Sequence, residues 1–314
     1  MQHTINVKKN KSVIIAAPGT VANLVCGFDV LGLCLNAPCD EMQLSIIEEK
    51  KIIITSADGY NLPSDPALNT AGAPLIDMLQ ELNADFGFEV RIKKNIKPGS
   101  GIGSSAASAA GAVVGANILL GNIFNKEQLV RFAMSGEKVA SGVKHADNVA
   151  PCIYGGITLI RSIFPLDIVS IPAPDLWVTV VHPQIEVRTA DARQILRKEV
   201  LLKDAIKQWG NIAGLVAGFI KNDVALIGRS LEDVIIEPVR SILIPGFGEV
   251  KKQSKLVGAL GGGISGSGPS IFMLSTQQQI AEAVKKEMQQ IYQRIGLEHH
   301  VYVTTINQEG VKEI

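Results

Sequence analysis

The sequence predicts an α+β fold with two sheet-containing lobes and a cleft between them. Three observations predict it. Short apolar runs with strand-like patterning dominate up to about residue 180. From residue 189 the apolar spacing becomes mainly helical, before a final return to strand. Between the two regimes the composition turns Pro-rich, at Pro165, Pro172 and Pro174. These features divide the chain into lobes at 1–175 and 176–314.

In chain order, residues 13–17 read as a strand ending at Pro18-Gly19, and 31–35 and 42–47 as strands around a turn at Pro38. Residues 51–55 form another strand, closed by an Asp58-Gly59 turn. Within 69–83, Leu75, Ile76, Met78, Leu79 and Leu82 recur at helical spacing. Residues 88–92 alternate as a strand, and the polar run 93–97 leads out of it. Residues 104–120 read as a thin helix rich in Ala and Gly, and 126–138 as a second helix. Strands at 155–159 and 177–181 flank the Pro-rich stretch. Helices follow at 190–202, 209–221, 224–231 and 251–260, the last stopped by Gly261-Gly262-Gly263. A strand at 271–274, a helix at 279–295 and a strand at 301–306 complete the pattern.

The chain has 314 residues, 46% hydrophobic and 19% charged, which suits a soluble globule with a sizeable core. Its 30 basic and 30 acidic residues cancel, so nothing in the charge argues for nucleic acid or an anionic membrane. No apolar run reaches the roughly 18 residues of a membrane span. Residues 1–10 hold no apolar signal core. Cys26, Cys34, Cys39 and Cys152 form no C-x-x-C pair, so buried free thiols in a reducing, cytoplasmic compartment are expected.

The strongest functional signal is Pro98-Gly99-Ser100-Gly101-Ile102-Gly103-Ser104-Ser105-Ala106-Ala107-Ser108. Its glycines permit positive φ and close backbone approach. The helix that follows begins with free N–H groups and the positive end of its dipole. Together these make a phosphate cradle. No Lys follows the glycines, and Ala106 stands where G-x-G-x-x-G needs its last Gly, so neither common nucleotide loop is present. Ser104 and Ser105 offer hydroxyls to a phosphate or to Mg²⁺, a hard cation that prefers oxygen. A tight turn before a close-packed helix is the plainer account of the same residues.

Three further segments stand out. Residues 136–151 crowd Glu137, His145, Asp147 and Asn148 among small residues. Glu137 suits a metal-bound carboxylate, and the others a polar pocket; a polar helix end would also explain them. Residues 261–270 form a Gly/Ser bend between apolar elements, which fits a ligand or another backbone lying against it better than a linker. Residues 16–32 are turn-rich and isolate Asn23 and Asp29 among apolar neighbours. Arg193 and Arg240 could be solvated, or could clamp the carboxylate of an amino-acid substrate.

These four segments, in this order, resemble the kinase superfamily of galactokinase, homoserine kinase, mevalonate kinase and phosphomevalonate kinase. The glycine loop matches its Pro-x-Gly-Ser-Gly-Leu-Gly-Ser-Ser-Ala pattern with Ile102 at the Leu position. The late Gly/Ser bend matches its third motif. Three stretches are similar to the homoserine kinase branch: Asn23-Leu24-x-x-Gly27-Phe28-Asp29-x-Leu31-Gly32, the run 144–151, and Glu237-Pro238-x-Arg240-x-x-x-Ile244-Pro245-Gly246. The resemblance spans roughly residues 12–275.

It implies a two-lobed small-molecule kinase fold. An N-terminal mixed α/β lobe would bind ATP, and a C-terminal lobe of helices and antiparallel sheet would complete the substrate site. The implied reaction moves the γ-phosphoryl of ATP to the side-chain hydroxyl of L-homoserine, with Mg²⁺, as a step towards threonine. Pro98 to Ser108 would hold the triphosphate, and Ser105 and Glu137 the Mg²⁺. Asn23, Asp29, His145, Asn148, Arg193 and Arg240 would hold homoserine. A homodimer is a family-level expectation. Another small-molecule kinase of the superfamily, or a silent nucleotide-binding protein on its scaffold, are the alternatives.

One departure is visible. The family usually has Gly-Pro at positions 25 and 26 and Ala-Thr-Ser around the first turn. This chain has Val25-Cys26 and Gly19-Thr20-Val21. Several relatives use an Asp as general base where Asn148 falls, and Asn cannot take a proton. Adjacent Asp147 is expected to face the other way on an extended segment. Catalysis by positioning and charge stabilisation is therefore expected.

Overall fold

The computed structural model describes residues 11–56 and 60–314. The expected Asp58-Gly59 turn and the reading of residues 1–10 lie outside the described residues. The first half of the described chain runs β1 (Ser12–Ala22), β2 (Leu31–Ile47), β3 (Ile52–Ser56), α1 (Gly72–Glu81), β4 (Gly87–Lys93), α2 (Ser104–Leu119), α3 (Lys126–Ser141), α4 (Val149–Tyr154), β5 (Ile157–Ile163) and β6 (Leu166–Ile171). The second runs β7 (Trp177–Pro183), α5 (Thr189–Gln194), α6 (Leu202–Lys221), α7 (Val224–Ser230), α8 (Glu237–Arg240), α9 (Phe247–Leu256), β8 (Gly261–Ile264), β9 (Ile271–Ser275), α10 (Gln278–Ile295), β10 (His299–Thr305) and β11 (Lys312–Glu313).

Among the described residues the strands form two sheets, as the α+β reading expects. The first has the order β11-β1-β2-β4-β3, with β5 on β2 and β6 on β5. It is mixed, because β3 runs parallel to β4. The second is antiparallel, in the order β10-β7-β9-β8. After β10 the chain crosses back, and β11 pairs with β1.

One apolar core joins the lobes. It runs from Ile15, Leu33 and Leu44 through Ala106, Ala110 and Val113 of α2 to Val178 and Phe272 of the second sheet. Ala and Gly keep α2 slender, so it lies against β1 and β2. A smaller core gathers Val250, Ile271, Met288 and Tyr292 under α9 and α10. Cys26, Cys34 and Cys152 are buried free thiols and Cys39 is half-buried. Burial pushes the Cys26 thiol up to about 12, so it stays protonated and inert.

The long strands differ from the expectation. β2 is continuous over 17 residues, with no turn at Pro38. Pro38 faces no β1 residue in the register, so its missing N–H breaks no rung. β1 likewise runs past Pro18-Gly19, with the ladder shifting between Pro18 and Thr20. The helix expected at 190–202 ends at Gln194. Ile195, Val200 and Leu201 are exposed, so helical spacing there has no surface to bury against. Gly261-Gly262-Gly263 is not a helix stop but the start of β8, paired with β9.

Candidate active site

The two lobes enclose a cleft of about 710 Å³. Its floor is the glycine loop. Gly99, Gly101 and Gly103 have φ of 73°, 82° and 72°. Gly103 caps α2 from the left-handed region without any side-chain hydrogen bond, which leaves the first N–H groups of α2 for a ligand. A Cβ at Gly103 would lie 2.0 Å from Thr20 Oγ1, and one at Gly101 2.4 Å from Gly268 O. Only glycine fits both the dihedrals and the space.

The late Gly/Ser bend is the backbone that crowds this loop. Ser265 Oγ donates to Gly101 O at 2.7 Å, and Ser270 Oγ to Ser100 O at 2.6 Å. On the other side Thr20 N donates to Ile102 O at 3.1 Å. Beneath the loop, Lys94 Nζ donates to Ser104 O at 2.8 Å, to Ser108 Oγ at 3.0 Å and to the Asp40 carboxylate. Asp40 also accepts from Asn95 N and Ile96 N at 2.8 and 2.9 Å. Sequence reading passed over Lys94 as part of a polar exit. The available signal was period two, because Val90, Ile92, Lys94 and Ile96 are all buried on one face.

Pro98, Gly99, Gly101, Gly103, Ser104, Ser105 and Ser108 line the cleft. Ser100, Ile102, Ala106 and Ala107 of the same stretch do not; the last three belong to the core. Leu62, Pro63, Leu68 and Val139 add apolar lining that the sequence reading did not assign.

On one flank α2 supplies Ser105 and α3 supplies Glu137, and Ser105 Oγ donates to Glu137 Oε1 at 2.7 Å. Burial pushes the Glu137 carboxyl up, against the opposing pull of His145 and the Ser105 hydrogen bond. His145 Nδ1 lies 3.2 Å from Asp147 Oδ1 and 3.5 Å from Glu137 Oε2. Its Nε2 lies 2.9 Å from Ser141 Oγ. Burial pulls the His145 pKa down, but Asp147, Glu137 and Asp29 together outweigh it and raise it to about 9. The ring is thus an imidazolium at neutral pH, donating from both nitrogens.

Asp147 and Asn148 do not sit on an extended segment. They form the turn into α4, and both line the cleft, which corrects the opposite-face expectation. Asn148 Oδ1 accepts from Thr20 Oγ1 at 2.8 Å, so the side chain's remaining offer to the cleft is its N–H donors.

The opposite flank gathers Asn23, Phe28, Asp29, Arg193 and Arg240. Arg193 and Asp29 form a two-pronged pair, 2.9 Å at both prongs. Arg240 is buried, with Nε donating to Ala192 O at 3.0 Å and Nη1 to Gly266 O at 3.1 Å. Burial, then the nearby Arg193 charge, lowers its pKa to about 10, so it remains a cation. The Phe28 ring lies 4.8 Å from the Arg240 guanidinium carbon and 5.5 Å from that of Arg193. Asn23 Nδ2 donates to Gly266 O at 2.8 Å, and its Oδ1 accepts from Asp29 N at 3.0 Å.

Known proteins resemble this chain in sequence and fold. The GHMP kinases N terminal domain matches residues 69–156, and the GHMP kinases C terminal domain residues 215–294. The homoserine kinase of Chloroherpeton thalassium is 46% identical over 314 aligned residues, covering 96% of this chain and 98% of that one. The chain belongs to the homoserine kinase family. The crystal structure of homoserine kinase from Cytophaga hutchinsonii superposes with a TM-score of 0.93 at 48% identity, over 98% of this chain and 99% of that one. A mevalonate kinase from L. major, 17% identical with a TM-score of 0.72 over 99% of this chain and 100% of that one, shares the fold. As a kinase of this family the chain uses ATP. Among the described residues, no helix is long and apolar enough to cross a membrane.

The departure from the homoserine kinase pattern falls on a strained turn. Asn23, Leu24 and Val25 all take positive φ, at 72°, 40° and 68°. Gly27 N donates to Asn23 O at 2.8 Å, closing the turn around Leu24, Val25 and Cys26. Asn tolerates this region, but Leu and Val do so at a cost of about 1–2 kcal/mol each.

Proposed function

We propose that this kinase transfers the γ-phosphoryl of ATP to the side-chain hydroxyl of L-homoserine, giving O-phospho-L-homoserine for threonine biosynthesis. One observation carries the reading. A single cleft joins an anion cradle at a helix N-terminus to a flank whose carboxylate and two guanidiniums match a zwitterion. The glycine loop and the first N–H groups of α2 would bind the triphosphate.

Ser105 Oγ and the Glu137 carboxylate are hard oxygen donors 2.7 Å apart and suit Mg²⁺. No cluster of three or more His, Cys, Asp or Glu exists among the described residues to cage a cation. Mg²⁺ commonly takes one or two protein oxygens and completes its shell with phosphate and water. Bound there, it would neutralise charge that develops on the phosphate oxygens. His145, as an imidazolium, holds the second Glu137 oxygen and the Asp147 carboxylate in place.

Homoserine would enter by exchange of like for like. Its ammonium would take over bonds that Arg193 now makes to Asp29, and its carboxylate would receive the released Arg193 and Arg240 guanidiniums. Asp29 and Arg193 would each keep an opposite charge beside them, so neither is stranded. Asn148 would donate to the attacking hydroxyl oxygen and fix its direction without removing its proton. The new O–P bond forms as the bond from γ-phosphorus to the bridging oxygen breaks. The hydroxyl proton leaves late, to a phosphate oxygen or to solvent. A loose transition state needs little help from a base.

ADP release from Mg-ATP tests this, with L-homoserine, L-serine, L-threonine, galactose and mevalonate offered in parallel. Turnover that depends on homoserine is expected. Turnover with another acceptor, or none with ATP still bound, would refute the substrate assignment. We further propose a cytoplasmic homodimer. Exposed Leu202, Ile206 and Trp209 form one apolar stripe on α6, of the kind that a partner covers. Trp209→Lys is expected to shift the mass measured by light scattering from dimer to monomer.

A further inference from the structure

The left-handed turn at Asn23, Leu24 and Val25 needs something to hold it, because Leu and Val favour other backbone regions. Gln208, buried within α6, reaches it. Gln208 Nε2 donates to Cys26 O at 2.9 Å and to Asp233 Oδ1 at 3.0 Å. Its Oε1 accepts from Val234 N at 3.1 Å. Both donors of this amide and its acceptor oxygen are therefore engaged. Asp233 in turn accepts from Ile235 N and Ile236 N through Oδ1, at 2.8 and 3.0 Å, and from Glu237 N through Oδ2 at 2.9 Å. That fixes the start of α8, which ends in Arg240.

We infer that Gln208 is a positioning residue for the amino-acid flank. Its amide braces the strained turn carrying Asn23 and Asp29 against the α8 segment carrying Arg240, and so sets the spacing of the groups that grip the substrate. This rests on the homoserine reading of that flank. Gln208 touches neither the cleft nor the phosphate loop, so its influence reaches the amino acid and not ATP. Without the brace, Val25 relaxes out of the left-handed region and carries its neighbours with it. A glycine in place of Val25 has no such bias and keeps the turn accessible without help.

The test is a double-mutant cycle between Gln208→Met, which keeps length and loses every hydrogen bond, and Val25→Gly. Steady-state kinetics read KM for homoserine and for Mg-ATP separately. Amide exchange over residues 22–31, without substrate, reads the turn itself. Gln208→Met is expected to raise KM for homoserine about tenfold, to change KM for ATP by less than about twofold, and to speed exchange in the turn. In the Val25→Gly background the same replacement is expected to raise KM for homoserine by no more than about twofold. Should Gln208→Met fail to fold, Gln208→Glu replaces it: it keeps the acceptor for Val234 N, loses the donor to Cys26 O, and is expected to give the same split. Equal KM changes for both substrates, the same loss with and without the Val25→Gly replacement, or unchanged exchange in the turn would overturn the inference. If the wild type does not use homoserine but exchange follows the expected pattern, the substrate reading falls and the brace stands.

Discussion

Glu137 and Asp147 are both acidic and both touch His145, yet the proposed mechanism gives them opposite weight. Glu137 faces Ser105 and would hold the cation, so Glu137→Gln is expected to lose most of kcat. Asp147 only orients His145, so Asp147→Asn is expected to keep most of kcat. Rates measured at saturating substrates check both, and a dead Asp147→Asn enzyme with an unchanged melting temperature would restore a base to the mechanism. His182 on β7 supplies a test away from the cleft. It is buried and its pKa falls to about 4 from an ordinary 6.5, first through burial and then through Lys97 and His300. The unfolded chain therefore binds a proton between those values that the folded chain refuses. Its contribution to stability is complete above pH 6.5 and is lost as pH falls towards 4. Replacing His182 with Gln is expected to flatten that part of the pH–stability curve in denaturant titrations. At this scale the sequence was informative wherever chemistry was local. Glu137, His145 and Asn148 stand close together in the chain, whereas Asp29 and Arg193, each singled out by its own segment, lie 164 positions apart, so their pairing was not legible.

The element that matters most is the glycine loop with the start of α2. Its helix, its glycines and its serines were legible because a helix start has local signals. What supports it was not, since Lys94 and Asp40 lie far apart in the chain and look like ordinary surface charges in the sequence. Their side chains are almost wholly enclosed, at 1% and 0% exposure. Lys94→Met would leave the Asp40 charge buried without its partner, and a loss of about 3–5 kcal/mol in denaturant unfolding is expected. Replacing both by apolar residues is expected to cost less than the single change, because no lone charge remains. The failed expectations have the same origin. Pro18 and Pro38 are local strand breakers, but a long antiparallel partner and a register that leaves Pro38 unopposed override them. Helical spacing at 195–201 was real, yet no neighbour buries that face.

Across the whole molecule, segments far apart in sequence meet at one line of backbone contacts. The first strand touches the glycine loop through Thr20, and the late Gly/Ser bend touches it through Ser265 and Ser270. The same bend accepts from Asn23 and Arg240 through Gly266 O. The phosphate cradle and the amino-acid flank are thus tied to a common backbone, and a single core joins the lobes behind them. The order of the motifs revealed that they belong together, while the distances between them required the fold. On the proposed mechanism this cleft aligns a homoserine hydroxyl with the γ-phosphorus of ATP. The most direct measurement is the ³¹P spectrum of the products formed from L-homoserine, Mg-ATP and the purified protein. The expected result is a phosphomonoester resonance matching O-phospho-L-homoserine, growing in step with ADP. Inorganic phosphate alone, or an unchanged ATP spectrum, would contradict it.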